Sequence, residues 1–119
     1  MSGYQDLKVW QKAMDLTVEI YRLVKKLPKE ETYALSDQMR RSAVSIPSNI
    51  AEGRDRNSNK EFIQFLHIAR GSKSELETQL LISVKVGYLT EADIQPIMEI
   101  SKEIGSMLTA LIARIMKSN

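Results

Sequence analysis

The chain has 119 residues, a length typical of one domain with a substantial core. It has no cysteine, which excludes disulfides and thiolate metal sites, and no apolar run near the ~20 residues of a membrane span. With 17 basic and 15 acidic residues the net charge is +2, so nucleic-acid binding would have to depend on local clusters of charge. The N-terminal segment is charged early and lacks a signal-peptide core, and we therefore expect a cytoplasmic protein.

All predicted elements are helices, because apolar residues recur at helical spacing and no stretch shows the alternation of a strand. The first helix is predicted from Asp6 to about Lys26, with Pro28 as its stop. Its apolar positions cover roughly half of the circumference, whereas a surface helix with one neighbour needs a stripe of about 100°. We therefore expect this helix to have more than one neighbour.

The second helix is predicted from about Thr32 to Gly53, a glycine suited to the left-handed conformation at a helix end. Pro47 interrupts it and removes the hydrogen bond to the carbonyl of Ala43, which costs about 3 kcal/mol unless a kink or another group compensates. Two interpretations stay open. Either the helix is kinked but continuous, with serine hydroxyls binding the freed backbone groups, or it breaks near Ser45 and restarts with proline in its first turn.

The second helix also carries three different faces, which indicates that it is surrounded. The expected core face comprises Leu35, Met39, Ala43, Ile46 and Ile50. A polar stripe beside it comprises Arg41, Ser45, Asn49 and Glu52, and a third, mostly small or apolar face comprises Arg40, Val44, Pro47 and Ala51. We interpret the polar stripe as structural, satisfying buried backbone groups or fixing the register of subunits.

The third helix is predicted from a cap at Ser58, which has capping-box spacing, to Gly87. The fourth begins with Thr90 as its cap and Asp93 as a favourable charge in its first turn. Connections of about 3–6 residues make sequential helices antiparallel neighbours. The expected fold is therefore all-α, a single-domain, up-down-up-down antiparallel four-helix bundle over residues 1–119.

Small and polar residues lie opposite the predicted core stripe of the third helix: His67, Gly71, Ser74 and Thr78. A helical glycine costs about 1 kcal/mol relative to alanine, so Gly71 favours close approach of another backbone, most simply in a symmetric homo-oligomer. A tolerated glycine on a solvated face is the alternative. Arg70 is a candidate interface charge beside it. Lys73, near the centre of the core stripe, is expected to snorkel or to meet the carboxylate of Glu77.

The densest basic cluster lies near the second helix and comprises Arg40, Arg41, Arg54, Arg56 and Lys60. Arginine binds phosphate oxygens in pairs, and the candidate nucleic-acid contacts are Arg40, Arg54, Arg56 and Lys60. In the alternative interpretation, Arg41 pairs with Glu52 or another carboxylate inside the bundle. Arg54 and Arg56 are then solvated loop charges.

Catalytic patterns are sparse. His67 is the only histidine, so the chain has no histidine pair for a metal and no histidine–cysteine arrangement. Helical ribonucleases of the HEPN kind place an arginine a few residues before a histidine, but the nearest one here, Arg56, is too far away. We expect no enzyme activity, metal, cofactor or small-molecule substrate. A carboxylate–metal nuclease using Glu52 is the remaining enzymatic hypothesis.

Four segments resemble the four-helix-bundle proteins of the 23S ribosomal RNA intervening-sequence family. They are DLKVWQKAMDL at 6–16, YALSDQMRRSAVSIPSNIAEGRDR at 33–56, EFIQFLHIARGSKSELETQL at 61–80 and GYL at 87–89. The resemblance spans nearly the whole chain and is most specific in RRSAVSIPSNIAEG. Some members of that family are encoded within insertions in bacterial 23S rRNA genes.

The resemblance implies a homo-oligomer, with a pentameric barrel of bundles as the known arrangement, and no established enzymatic activity. Relatives include the accessory variability protein of diversity-generating retroelements, which binds nucleic acid and a reverse transcriptase through a basic surface. A net charge of +2 is low for that branch. The expected function is a homo-oligomeric module that binds RNA or a protein. A structural adaptor without nucleic-acid contact is the alternative.

Overall fold

In the computed structural model, which describes residues 3–118, the chain forms four antiparallel helices. Their bounds are α1 Lys8–Leu23, α2 Leu35–Arg54, α3 Asn59–Lys85 and α4 Glu91–Lys117. Short 3-10 turns occupy Tyr4–Asp6, Val24–Lys26 and Lys29–Glu31, and this part of the chain contains no strand. The prediction of an all-α four-helix bundle is confirmed.

Contacts between neighbouring helices establish their antiparallel order. The contacting residues run in opposite directions in each pair. Lys12 of α1 pairs with Glu103 of α4, and Lys26, in the turn after α1, pairs with Asp93 at the start of α4. For α3 and α4 the pairs are Arg70 with Thr109 and Glu77 with Ser101. The bundle is elongated, with extents of 47 × 23 × 19 Å. One end therefore gathers the starts of α1 and α3 and the ends of α2 and α4.

Every helix contributes to one apolar core. Its largest fully buried side chains include Leu16, Ile20, Met39, Ile46, Ile50, Leu66, Leu76, Leu80, Ile104 and Leu108. Burial of each such side chain contributes about 1.5–3 kcal/mol relative to exposure, which is why the apolar stripes determine how the helices face one another. Four of the five core positions predicted for α2 are buried, and the fifth, Leu35, is half-buried.

The second helix begins three residues later than predicted. Ala34 has non-helical dihedral angles, φ −121° and ψ −105°, so Leu35 rather than Thr32 is the first helical residue. The carboxylate of Glu31 accepts a hydrogen bond from the backbone N–H of Leu35 at 3.2 Å. An acidic side chain four residues upstream thus satisfies one of the orphan donors of the helix start.

Pro47 lies inside a continuous α2, and the alternative of a break near Ser45 is wrong. The hydroxyl of Thr17, in α1, lies 3.2 Å from the carbonyl of Ala43, the group that loses its backbone donor to the proline. The same hydroxyl lies 2.8 Å from the carbonyl of Ala13. The hydroxyl shares its one proton between these two carbonyls, so it compensates for the proline only in part. It comes from a neighbouring helix, and not from the serines beside the proline as we predicted.

Both predicted caps are confirmed. The Ser58 hydroxyl accepts from the backbone N–H of Glu61 at 3.2 Å. Thr90 and Asp93 form a full capping box, in which each side chain accepts a hydrogen bond from the other residue's backbone N–H. These bonds satisfy donors at the starts of α3 and α4 that have no partner within the helix.

The two glycines expected at helix ends differ. Gly87 has φ +90°, a left-handed conformation that ends α3, whose last helical residue is Lys85. The left-handed conformation predicted for Gly53 is wrong, since Gly53 is a buried residue within α2. A Cβ atom there would lie 2.6 Å from Cβ of Phe65, so glycine is required for the close approach of α2 and α3.

Candidate functional site

Exposed apolar side chains form a face along α1 and α2. Met14, Val18, Tyr21 and Val44 are each 39–48% exposed. A cleft of about 330 Å³ beside them contains Trp10, whose ring packs edge-on against Tyr4 with 5.3 Å between centroids. We call the set Trp10, Met14, Val18, Tyr21, Val44, Pro47 and Ala51 the α1/α2 face.

A second apolar strip follows the outer side of α3. Ile68, Ile82 and Val86 are 44–56% exposed and lie on one side of the helix, opposite its buried leucines. Gly71 lies near the same side, where an added Cβ would meet no atom within 4 Å. No contact within the protomer therefore explains this glycine. We call these four residues the α3 outer face, and it lies away from the α1/α2 face.

The polar stripe of α2 divides into two parts. Ser45 and Asn49 are half-buried, with Ser45 Oγ 2.8 Å from Ser72 Oγ of α3 and the Asn49 amide donating to the Ser45 carbonyl at 2.7 Å. Arg41 and Glu52 are exposed. Arg41 pairs with a carboxylate, as the alternative interpretation expected, but its partner is Asp37 at 2.9 Å rather than Glu52. The expected place inside the bundle is wrong, since Arg41 is 80% exposed.

The predicted interface residues on α3 include two that act within the protomer. The guanidinium of Arg70 donates to the hydroxyl of Thr109, in α4, at 3.2 Å, and its other nitrogen lies 3.0 Å from Nδ1 of His67. Ser74 donates weakly to the carbonyl of Arg70 at 3.4 Å. Arg70 and Ser74 both line the space between α3 and α4, whereas Gly71 does not.

The antiparallel fold gathers basic residues at the end of the bundle where α2 stops and α3 starts. They are Lys8, Arg54, Arg56, Lys60, Arg114 and Lys117, against the four carboxylates of Asp6, Glu52, Asp55 and Glu61. Lys8 and Arg114 line one cleft, and the side chain of Asn59 lies 3.4 Å from the hydroxyl of Ser118. We call these six cations the basic end.

Arg56 is partly fixed at this end. Its guanidinium binds Glu52 at 2.7 Å and lies 4.8 Å from the ring centroid of Phe65. Lys60, Arg114 and Lys117 are all exposed. The sequence indicated Arg54, Arg56 and Lys60. It missed Lys8, Arg114 and Lys117, because these residues lie far away in the sequence and only the packing of the helices places the start of α1 and the end of α4 beside them.

Arg40 does not belong to the basic end. It donates to the carbonyl of Thr32 at 3.0 Å and lies 3.9 Å from a carboxylate oxygen of Asp37. Fourteen helical residues, about 21 Å along the axis, separate it from Arg54. The structure therefore splits the predicted nucleic-acid set, and Arg40 serves the start of α2.

A groove of about 1060 Å³ opens between α3 and α4. Its floor carries a polar network in which Glu77 accepts from Lys73 at 3.0 Å and from the Ser101 hydroxyl at 2.6 Å. Lys73 is only 13% exposed, and the predicted pairing with Glu77 is confirmed. Gly105 makes room for the stem of Lys73, whose Cε would lie 3.1 Å from an added Cβ.

Two pKa shifts occur at the end of the bundle opposite the basic end. Lys26, at 2.8 Å, and the backbone N–H of Thr90 lower the pKa of Asp93 from 3.8 to about 2. The hydroxyl of Tyr88 donates to Glu31 at 3.0 Å, which raises the pKa of that phenol. Both interactions connect the start of α4 to the region between α1 and α2, and neither lies in a cleft with a second reactive group.

Nothing among the described residues supports the nuclease hypothesis. Residues 3–118 contain no group of three histidine or carboxylate side chains placed to hold a metal ion. The carboxylate of Glu52 is paired with Arg56 on the surface. Over the same residues, no helix has the length and apolar character needed to cross a membrane.

These features define a small antiparallel four-helix bundle with apolar outer faces and a basic end. The chain belongs to the family of 23S rRNA-intervening sequence proteins, and its residues 5–110 match that family. A similar crystal structure is that of a protein of unknown function from the S23 ribosomal protein family of Bacteroides thetaiotaomicron. The two share 32% identity with a TM-score of 0.81, over 87% of this chain and 97% of the other. No curated protein matches the chain.

Proposed function

We propose that this protein is a non-enzymatic, cytoplasmic homo-oligomer that binds RNA through its basic end. The observation that carries the proposal is the convergence of Lys60, Arg114 and Lys117, from distant parts of the sequence, on one exposed surface. Phosphate contacts supply much of the affinity of such surfaces, and they need clustered cations rather than a high net charge.

Self-association is supported by the two apolar faces. A contact between different surfaces of two copies is heterologous, and successive heterologous contacts generate a closed ring when the rotation permits. The α1/α2 face and the α3 outer face lie on different sides of the bundle, as such a contact requires. The resemblance implies a pentamer, in which five basic ends would act together and raise avidity.

Native mass spectrometry and light scattering test the assembly. Met14→Glu with Val18→Glu breaks the α1/α2 face, and Ile68→Glu with Val86→Glu breaks the α3 outer face, each without touching the buried core. We expect both double variants to be monomeric. Mixed together, they should form dimers only, since one intact face remains on each. A monomeric wild-type protein at tens of micromolar would overturn the oligomer, as would isologous dimers of either variant.

Fluorescence anisotropy with single- and double-stranded RNA, measured over a salt series, tests the basic end. The triple variant Lys60→Gln, Arg114→Gln, Lys117→Gln should weaken binding by about tenfold or more at low salt and flatten the salt dependence. The matched control removes three cations from the opposite end, with Lys25→Gln, Lys29→Gln and Lys85→Gln. Equal losses in the two variants would show that binding follows total charge and does not use this surface.

The alternative is an adaptor that contacts only proteins, which the even distribution of charge along the chain favours. Phosphate contacts are strongest at low salt, on the order of 50 mM. If the assembly is intact but binds no RNA under that condition, the adaptor alternative is correct and the RNA proposal is wrong. The oligomer experiment and the RNA experiment use different residues. Either half of the proposal can therefore fail without the other.

A further inference from the structure

The groove between α3 and α4 is a third surface, separate from the basic end and from both apolar faces. It follows α4 from Glu91 to Ala113, which is about 33 Å of helix. That length is close to an α-helix of about 20 residues. Leu81 and Met98 give the groove an apolar lining, with charged side chains along its rims.

The α4 wall of the groove carries small side chains that permit close approach of another backbone. Small side chains occupy it over its second half, with Ser106, Ala110 and Ala113 spaced three and four residues apart. Residues at this spacing lie on one side of a helix, and small ones allow a second helix to pack closely against it. An elongated groove lined by small side chains fits a helix better than a compact ligand, as in the helix-in-groove mode of recognition.

The charges in the groove distinguish a protein from RNA. Its lining has three cations and three carboxylates: Arg70, Lys73 and Lys102, and Glu77, Glu91 and Glu99. Lys73 is already neutralised by Glu77, and Arg70 is held by Thr109. Carboxylates at the floor and rim repel phosphate, so the groove does not suit an RNA backbone.

Three rim charges remain for a partner. Among the hydrogen bonds and ion pairs of residues 3–118, none involves the side chains of Glu91, Glu99 or Lys102, and all three residues are exposed. They follow one another along α4 with two acidic positions first and the basic one last. A complementary helix carries two basic residues eight positions apart, followed three positions later by an acidic one. Such a helix runs parallel to α4, and the positive N-terminal end of its dipole then lies beside Glu91.

We infer that this groove docks an amphipathic helix of another protein, which carries that basic–basic–acidic pattern along a face of small and apolar residues. A second copy of this chain cannot supply that helix, because no two of its basic residues are eight positions apart. The docked helix covers the groove floor between α3 and α4 and packs against the bundle as a fifth helix. The inference does not depend on RNA binding or on the ring, because the groove shares no residue with the surfaces proposed for them.

The probe is a fluorescent, helix-stabilised peptide of 20 residues, with leucine and alanine on one face, Lys at positions 3 and 11 and Glu at position 14. Its matched control exchanges positions 11 and 14, which keeps composition and net charge. Wild-type protein should prefer the first peptide by about fivefold or more, the scale expected for two exposed ion pairs turned from attractive to repulsive. The double variant Glu99→Lys with Lys102→Glu should prefer the second peptide by a similar factor.

Two further variants show where the peptide lies. Ala110→Trp fills the groove and should abolish binding of both peptides, whereas Thr78→Trp, on α3 outside the groove, should leave binding unchanged. Circular dichroism checks that both variants fold. No binding of either peptide at millimolar concentration, or an unchanged preference in the charge-swapped protein, would overturn the inference.

Two other results would assign the groove to a different occupant and overturn the inference as well. If the Glu99→Lys, Lys102→Glu variant changes the oligomeric mass, the groove is a contact between copies of this chain. If the same variant loses RNA binding while Lys60→Gln, Arg114→Gln, Lys117→Gln retains it, the groove is the RNA site. In the second case the proposed role of the basic end fails too, whereas loss of peptide binding alone leaves that role intact.

Discussion

Helix α3 meets its two neighbours in opposite ways. Toward α2 the backbones approach closely, with Gly53 against Phe65 and the hydroxyls of Ser45 and Ser72 in contact. Toward α4 the long side chains of Lys73 and Arg70 lie outside the shared core, and a groove of about 1060 Å³ lies above them. Small residues thus produce direct packing on one side of the same helix, while charged ones on the other side keep the helices apart and leave a surface open to a partner.

The largest expected effect is on the tight side. Gly53→Ala places a Cβ 2.6 Å from Cβ of Phe65 and 3.3 Å from the carbonyl oxygen of Phe62, which cannot both move freely. We expect a loss of about 1–3 kcal/mol of unfolding free energy, the usual range for overpacking, measured by urea denaturation. Gly105→Ala is the matched change on the open side. It meets only the flexible stem of Lys73, and equal losses in the two variants would remove the distinction.

On the open side, the network at the groove floor is the sensitive element. Glu77→Ala leaves Lys73, which is 13% exposed, without its carboxylate, and it removes the acceptor of the Ser101 hydroxyl. We expect a loss of about 2 kcal/mol, less than for a fully buried pair because both groups retain some solvent contact. Restoring much of that stability with Lys73→Met in the same chain would confirm the cause. Glu75→Ala, an exposed change on the same helix, is the control and should be nearly neutral.

The tight packing extends from α2 to α1 through the threonine that serves Pro47. Thr17→Val keeps the shape but removes the hydroxyl that lies 3.2 Å from the freed carbonyl of Ala43, and we expect a loss of about 1 kcal/mol. In a Pro47→Ala background the new backbone N–H can bind that carbonyl. A double-mutant cycle measured by chemical denaturation should therefore show a smaller cost of Thr17→Val, whereas additive effects would contradict the assignment.

A smaller effect of opposite sign is expected at the outer face of α3. Gly71→Ala meets no atom within the protomer, so it should raise the unfolding free energy by about 0.5–1 kcal/mol in a monomeric background such as Met14→Glu with Val18→Glu. In the assembled protein the added methyl should weaken association, as detected by dilution in native mass spectrometry. A stabilised protomer with unchanged assembly would place Gly71 outside the contact.

The smallest effect concerns the start of α4, where Asp93 binds Lys26 in the turn that follows α1. The pKa of Asp93 is about 2 in the folded protein, below its ordinary 3.8. A lowered pKa stabilises the fold fully above about pH 4, and the contribution disappears as pH falls through about 2. The stability difference between wild type and Asp93→Asn should therefore be present at pH 7 and shrink between pH 4 and pH 2 in thermal melts. A pH-independent difference would show that the charge is not responsible.

Local chemistry explains why some features were predictable. The cap at Ser58 and the capping box of Thr90 with Asp93 use residues within three positions of one another, so the sequence contains the whole interaction. The pairing of Lys73 with Glu77 is likewise a contact one helical turn apart. In contrast, the role of Gly53 was misread, because its reason is Phe65 on another helix.

The amino-acid sequence by itself determined that the chain forms four amphipathic helices in an antiparallel bundle, because apolar periodicity, caps and short connections act over a few residues. Only the tertiary structure decided which polar and charged groups meet. It brought Thr17 to the carbonyl freed by Pro47. It also placed Lys8, Arg114 and Lys117 at the basic end, and Ser101 and Gly105 beside Lys73 and Glu77. These contacts join residues far apart in the chain, and they depend on the rotation and register of whole helices, which the shared core determines.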